Sequence, residues 1–150
     1  MNVIYGKSAP RVVLRSKTYI DLYVREGSTG AQRERVMREW YRKQVKAQIP
    51  GLLEKWLRVT GVEVKSWGVK WMKTKWGSCN AKAKRIWLNL ELAKKPRHSL
   101  EYIMVHEMVH FLERRHNERF AAYMDKFMPQ WRVYKEELNS LILGHADWSY

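Results

Sequence analysis

Disulfide chemistry is the first thing this sequence lacks: one cysteine, Cys79, stands among 150 residues. A single thiol cannot close an internal bridge or by itself build a cysteine-type zinc site, which agrees with a reducing compartment. Long apolar runs are missing too. Nowhere do about 18 apolar residues follow one another, so no helix that spans a bilayer is expected. The opening stretch, MNVIYGKSAPRVVLRSK, never builds the apolar core of a secretory signal, and the expectation is a cytoplasmic protein without a membrane partner. Acidic residues are scarce, with 15 Asp and Glu against 29 Lys and Arg, a formal charge of +14. A field of that sign attracts polyanions, so nucleic acid is a candidate partner, but net charge speaks to association rather than chemistry. Internal repeats and low-complexity linkers are also missing, and the length suits one domain over residues 1–150.

What is present argues for a packed core. Hydrophobic residues make up 45% and aromatics 13%, with eight Trp and eight Tyr, far from the composition of a disordered chain. In RVVLRSKTYIDLYVREGS, the residues Val12, Leu14, Ile20, Leu22 and Val24 follow period two around a polar turn, which predicts a β-hairpin over about 11–26. A helical region follows over 31–60. Met37, Tyr41, Val45 and Ile49 repeat every four residues, Pro50 and Gly51 are expected to interrupt them, and Leu52, Leu53, Trp56 and Leu57 form a second apolar face that Gly61 ends. Over 62–90, the alternation of Trp67, Val69 and Trp71, then of Ile86, Leu88 and Leu90, predicts two or three antiparallel strands with a turn near Asn80 to Lys84. Helices are expected at 99–115, with Ser99 as N-cap, and over 117–143 in two segments broken by Pro129. Strands first and helices last predict an α+β fold with a small antiparallel or mixed sheet and helices on one side of it.

The chemistry concentrates in VHEMVHFLERRH, Val105 to His116, which holds three of the five histidines. His106 and His110 lie four residues apart and so project from one helix face, where both imidazoles can reach one ion at about 2.0–2.1 Å. Glu107 is displaced by about 100° around the helix, where a carboxylate can serve as water-activating base without being a ligand. The flanks, Tyr102 to Val105 and Met108 to Leu112, are mostly apolar, so the helix is expected to form a buried cleft floor. A metal would satisfy together the polar groups that such burial strands. His116 is the candidate third ligand. A straight helix would carry it about 240° from His110, so the chain has to bend after Arg114 or Arg115. The H-E-x-x-H-x5-H spacing also occurs in metzincins, where a glycine stands at the place of Glu113, so the bend must be made differently here. Glu113, Glu118 and Asp125 remain alternative third ligands.

Other residues have plainer readings. Cys79 is more simply a small buried hydrophobe than a nucleophile or a fourth ligand. Met124 and Met128 are core residues at helical spacing, His98 and His145 are surface or loop residues, and Gly77 marks a close backbone approach or a bulge. Tryptophans interleave with lysines in VKSWGVKWMKTKWG. That pattern can bind nucleic acid, but the tryptophans are first read as core.

The segments WYRKQ, MKTKWGSCNAKAKRIWLNLELAKKP, EYIMVHEMVHFLERRHNERF and MPQW resemble the YgjP-like zinc metallopeptidases, relatives of the SprT and WLM groups. The resemblance runs from about Trp40 to Leu138. It implies a zincin-like fold with the H-E-x-x-H helix in the cleft floor, Zn2+ held by His106, His110 and His116, and Glu107 as catalytic base. The implied activity is peptide-bond hydrolysis through a metal-bound water, on a peptide or protein substrate. It also implies that Trp76 to Cys79 belongs to a strand pair beside the active-site helix, with Lys73 to Ser78 as the rim on which an extended peptide pairs. Tyr123 or a nearby arginine is the candidate oxyanion donor. The competing reading is a nucleic-acid-associated binding protein whose metal site is structural or inactive.

Overall fold

The computed structural model describes residues 1–7, 9–16 and 19–140. The chain divides into two compact units, Met1–Lys43 and Gln44–Tyr150. Among the described residues the first unit holds β1 (Asn2–Gly6), β2 (Arg11–Leu14) and β3 (Ile20–Arg25) in the order β1-β3-β2. The predicted hairpin is there: β2 and β3 pair antiparallel, with Val12 opposite Leu22. β1 was not foreseen. It joins parallel to β3, Val3 opposite Leu22, and all five of its residues are exposed, so it carries none of the in-out alternation that makes a strand legible. Leu22, Val24 and Met37 form this unit's small core, flanked by half-buried Val12, Ile20, Val36, Trp40 and Tyr41.

The long helix α1 (Gly30–Thr60) begins in the first unit and ends in the second. Its start is a capping box in the GSTG segment: Gln32 N–H donates to Thr29 Oγ1 at 3.1 Å, and Thr29 N–H donates to Gln32 Oε1 at 2.8 Å. The expected break at Pro50 does not occur, because Pro50 lies inside one continuous helix. An interior proline costs roughly 3 kcal/mol. The apolar stripe of Val45, Ile49, Leu52 and Trp56 keeps its helical spacing across it and is buried throughout, at roughly 1.5–3 kcal/mol per side chain. Gly61, at φ +71° with its N–H on the Leu57 carbonyl at 2.8 Å, closes the helix in the left-handed conformation anticipated for it.

The second unit's sheet comprises β4 (Ser66–Lys70), β5 (Gly77–Asn80) and β6 (Arg85–Asn89) in the order β4-β6-β5. The expectation of wholly antiparallel strands fails for one pair. β5 and β6 are antiparallel, but β4 runs parallel to β6, since the Trp71–Trp76 connection lets the chain pass to the far edge before it returns. The β5–β6 turn lies where expected, closed by Ala83 N–H on Asn80 Oδ1 at 3.0 Å and by Lys84 at φ 52°. Ile86 and Leu88 point into the core and are fully buried, whereas Trp87 faces the other way and is half-buried. A 3-10 turn, Leu90–Lys94, leads to α2 (Arg97–Val109), which packs on β5 and β6. Ser99 is not the N-cap; the helix starts two residues earlier after Pro96, and Ser99 is buried in its first turn. α3 (Glu118–Phe127) and α4 (Trp131–Ser140) both pack on α2. The last helix was expected to reach Leu143; that stretch, with His145, lies outside the described residues.

Of the tryptophans, Trp56, Trp76 and Trp131 are core residues, Trp40, Trp67 and Trp87 are half-buried, and Trp71 is exposed. No described helix is long and apolar enough to cross a membrane. The architecture is a small mixed α+β fold.

Candidate active site

α2 can hold polar chemistry because it is buried nearly all round. Tyr102, Ile103, Met104, Val105, Met108 and Val109 are fully buried. Between them His106 and Glu107 are 1% and 2% exposed. Such groups are costly to bury unless partnered, and the geometry shows what the histidines share. The Nε2 atoms of His106 and His110 are 3.1 Å apart, those of His106 and His116 are 3.1 Å apart, and those of His110 and His116 are 2.9 Å apart.

Hydrogen bonding cannot satisfy that triangle. A neutral imidazole Nε2 either donates or accepts, so three of them leave at least one edge with two like partners. His110 settles its own state: Nδ1 donates to the Glu113 carbonyl at 3.1 Å, which leaves Nε2 as a bare lone pair. Burial is the leading cause that pushes the proton affinity of all three rings below the usual 6.5, furthest for His106, where His110 and His116 add to it. Three neutral nitrogens aimed at one point fit a tetrahedral cation. With bonds of about 2.0–2.1 Å, its ligand atoms lie about 3.3–3.4 Å apart, close to the edges seen. These three are the group of His, Cys, Asp and Glu among the described residues whose ligand atoms gather in this way.

The bend that delivers His116 is built around Glu113. After Val109 the helix tightens: Leu112 and Glu113 both donate their N–H to the Val109 carbonyl, at 2.8 and 2.9 Å. The Glu113 carboxylate then accepts from Arg115 N–H at 3.3 Å and from Asn117 Nδ2 at 3.1 Å, and Arg119 lies 3.6 Å from it. Asn117 caps α3 by accepting Phe120 N–H at 3.0 Å. So Glu113 is not a third ligand; it does by hydrogen bonding what a glycine does conformationally in metzincins. Glu118 and Asp125 are also outside the triad. Asp125 accepts the Trp131 indole N–H at 2.8 Å and pairs with Arg132.

Two further residues were not anticipated in their roles. Phe120, taken only for core, sets its ring 4.7–5.1 Å from the centroids of all three imidazoles, an apolar floor that fixes their tilt. Asn89 is fully buried; its Nδ2 donates to the Met72 and Lys75 carbonyls at 2.9 and 2.6 Å and its Oδ1 caps the 3-10 turn through Glu91 N–H at 3.0 Å. It thus anchors the loop that enters β5. A polar residue at the end of the Ile86–Leu88 alternation was its only sequence signal. Gly77 makes a close backbone approach, as expected of it. A Cβ there would lie 2.7 Å from Ile103 Cγ2 and 3.1 and 3.2 Å from Glu107 Cγ and Oε1, so β5 can press on α2 at Glu107 only because this residue is glycine.

A cleft of about 1080 Å3 opens over the triad, lined by β5, by Glu107 and by the bend after α2. Of the expected rim, Lys73 to Ser78, the residues Thr74, Lys75, Gly77 and Ser78 line the cleft while Lys73 and Trp76 do not, and the lining continues past them to Lys82, with the strand itself running from Gly77 to Asn80. Among the described residues β5 pairs only with β6, so its other edge has no strand partner there. Cys79 lines the cleft and its thiol hydrogen-bonds the Glu107 carboxylate. Burial, then that carboxylate, pushes the thiol up to about 12, so it stays protonated, unlike a nucleophile or a ligand. Tyr123 stacks on Phe127 and does not line the cleft, while Arg114 does. His98, at the start of α2, pairs with Glu137 at 2.9 Å and stacks on Tyr134.

The fold and this site define a class, the metallopeptidases with a zincin-like fold. Within it the chain belongs to the YgjP-like family, whose metallopeptidase domain matches residues 1–141. It is thereby a peptide-bond hydrolase that works with a metal. Two solved structures share the fold. The metallopeptidase zymogen abylysin of Pyrococcus abyssi is 17% identical, with a TM-score of 0.56 over 62% of this chain and 93% of that one. The metallopeptidase zymogen jannalysin of Methanocaldococcus jannaschii is 21% identical, with a TM-score of 0.55 over 63% of this chain and 97% of that one. No curated protein matches the chain significantly.

Proposed function

We propose that the chain acts as a single cytoplasmic domain, a zinc-dependent peptidase in which His106, His110 and His116 hold the ion and Glu107 is the general base. One observation carries this reading: three imidazole Nε2 atoms converge to within 2.9–3.1 Å of one another beside the carboxylate that follows the first of them. Three neutral nitrogen ligands with one open position favour zinc. When bound, the ion supplies positive charge that acidifies water and polarises the scissile carbonyl.

The chain's own residues do the rest. An extended peptide hydrogen-bonds to the edge of β5 away from β6, which draws its backbone across the triad. Glu107, held by Cys79 and by its contact with Gly77, accepts a proton from the attacking water and returns it to the leaving amine. Arg114 lies on the cleft wall, where its guanidinium can stabilise the developing oxyanion.

Glu107→Gln tests the assignment. The variant keeps one zinc per chain while turnover of a cleavable peptide falls by about 10²–10⁴-fold, the usual contribution of a general base. His110→Ala loses the zinc as well. Unchanged turnover in the glutamine variant rejects the mechanism. The second reading, weak nucleic-acid association, draws on Trp71, 50% exposed among lysines. Against it, Lys70 and Arg85 already lie over the Trp87 ring, each 4.6 Å from its centroid. A binding constant that falls steeply from low to physiological salt would support it.

A further inference from the structure

Some of the basic side chains are paired with a carboxylate. Arg15 with Asp21, Arg38 with Glu34, Lys55 with Glu101, Arg58 with Glu54 and Lys94 with Glu91 are examples spread over both units. The cleft is different. Lys75 precedes β5, Lys82 follows it, and Arg114 stands on the opposite wall in the bend after α2. All three are exposed, and none has an ion pair or side-chain hydrogen bond among the described residues. The lining holds one carboxylate, Glu107, buried and turned toward Gly77 and Cys79. It cannot neutralise cations at the mouth. A concave site with one sign of charge on its walls focuses that field on whatever enters.

We propose that the cleft selects peptides with acidic side chains within a few residues on either side of the scissile bond, and that Lys75, Lys82 and Arg114 set this preference. The inference rests on the peptidase reading above and adds the substrate class to it. The placement gives the two-sided character. A strand laid along β5 passes Lys75 at one end and Lys82 at the other, with Arg114 facing it across the cleft. Exposed charges act weakly one at a time, but three converging on one ligand are expected to separate acidic from basic peptides by about tenfold or more. For Lys75 and Lys82 the selection acts on binding, because they lie beside the substrate's flanks; Arg114 also stands where it can meet the oxyanion, so its part is read from binding to Glu107→Gln rather than from turnover.

The test uses one fluorogenic peptide core flanked on both sides by Glu, Gln or Lys. Hydrolysis is followed with the zinc-loaded full chain, and binding of the same peptides by anisotropy with zinc-loaded Glu107→Gln. KM and Kd are expected to rise in the order Glu, Gln, Lys, with kcat little changed and the spread collapsing in 0.5 M salt. A Lys75→Glu, Lys82→Glu, Arg114→Glu variant is expected to reverse the order. A Lys46→Glu, Lys65→Glu, Arg97→Glu variant, with the same net charge changed away from the cleft, is expected to keep it. If the triple cleft variant does not fold, Lys82→Gln alone is expected to narrow the spread. Equal affinities for the three peptides, or the same shift from both triple variants, overturn the proposal. So does an oligonucleotide that displaces the acidic peptide with higher affinity, which would make the cleft a nucleic-acid seat. An intact binding order without any hydrolysis sinks the catalytic reading and leaves this one; hydrolysis without a binding order does the reverse.

Discussion

The two compact units handle buried polar groups differently, and the contrast shows why the chemistry sits where it does. In the first, Asp21 is the buried polar residue, 8% exposed on a sheet whose core is Leu22, Val24 and Met37. It needs its own partners: Arg15 Nε donates at 2.5 Å and Asn2 Nδ2 at 3.3 Å. In the second, His106 and Glu107 are buried more deeply within a helix whose neighbours are almost all apolar, and the histidine partners come from outside that helix's regular part. A shallow core tolerates a charge only by pairing it at once. A deep core can hold one neutral imidazole, His106, at its edge, where half-buried His110 and exposed His116 close the triangle and leave the lone pairs for an ion.

Truncating each core should separate the units most strongly. Leu22→Ala and Ile103→Ala each remove a fully buried side chain and are expected to cost about 2–5 kcal/mol. Leu22→Ala should leave zinc affinity within about twofold, whereas Ile103→Ala, which frees the contact between Gly77 and α2, should lower turnover by about tenfold as well. Calorimetry reads the stability loss, a zinc titration the affinity and a peptide assay the turnover, and an equal loss of turnover per bound zinc in the two variants would erase the contrast. Next in size is Glu113→Ala, which releases the bend. Zinc affinity should fall by about 10–100-fold, as for other groups that orient ligands, while the glutamine variant, still able to accept Arg115 N–H, retains most of it.

Within the second unit, two glycines sharpen the point. A Cβ at Gly77 meets Ile103 and Glu107 in the packed interior, whereas one at Gly68 meets the half-buried Trp87 ring on the sheet's other face. Gly77→Ala should cost about 1–3 kcal/mol and reduce kcat with zinc still bound. Gly68→Ala lets the ring swing outward and should keep kcat. Matched kcat values for the two variants would mean that β5 does not position Glu107.

The smallest effect is on pH. In the metal-free protein, burial lowers the triad's proton affinity below 6.5, so on acidification the unfolded chain takes up protons before the folded one. The neutral triad's contribution is complete above about pH 6.5 and is lost as pH falls through the lowered folded values. Asp21 is likewise held below its usual 3.8, chiefly by Arg15 and with Asn2 assisting. Its contribution is present above 3.8 and disappears only as pH falls through that lowered value. Hydrogen exchange should therefore show α2 losing protection as pH falls below about 6.5 while β3 keeps its own until pH falls below 3.8. Loss in β3 first would contradict this.

Much of the architecture is written in local periodicity. The β2–β3 hairpin, the β5–β6 pair, and α2, α3 and α4 all show in the alternation or helical spacing of their apolar residues. The failures have local causes. β1 is exposed along its whole length, so no pattern betrays it. Pro50 reads as a stop, yet the stripe from Val45 to Trp56 carries the helix through it. Parallel pairing of β4 depends on which way a connection crosses, and strand patterns do not encode that.

The sequence by itself placed His106 and His110 on one helix face, set Glu107 about 100° round from His106 and made His116 the candidate third ligand, because helical geometry over five residues is fixed by the backbone. The tertiary structure alone decided that His116 turns back, that Phe120 underlies the imidazoles, and that β5 presses on Glu107 through Gly77. Those outcomes join residues from separate elements, through Glu113 at the bend and through burial against the sheet, and no local spacing sets the energy of such contacts.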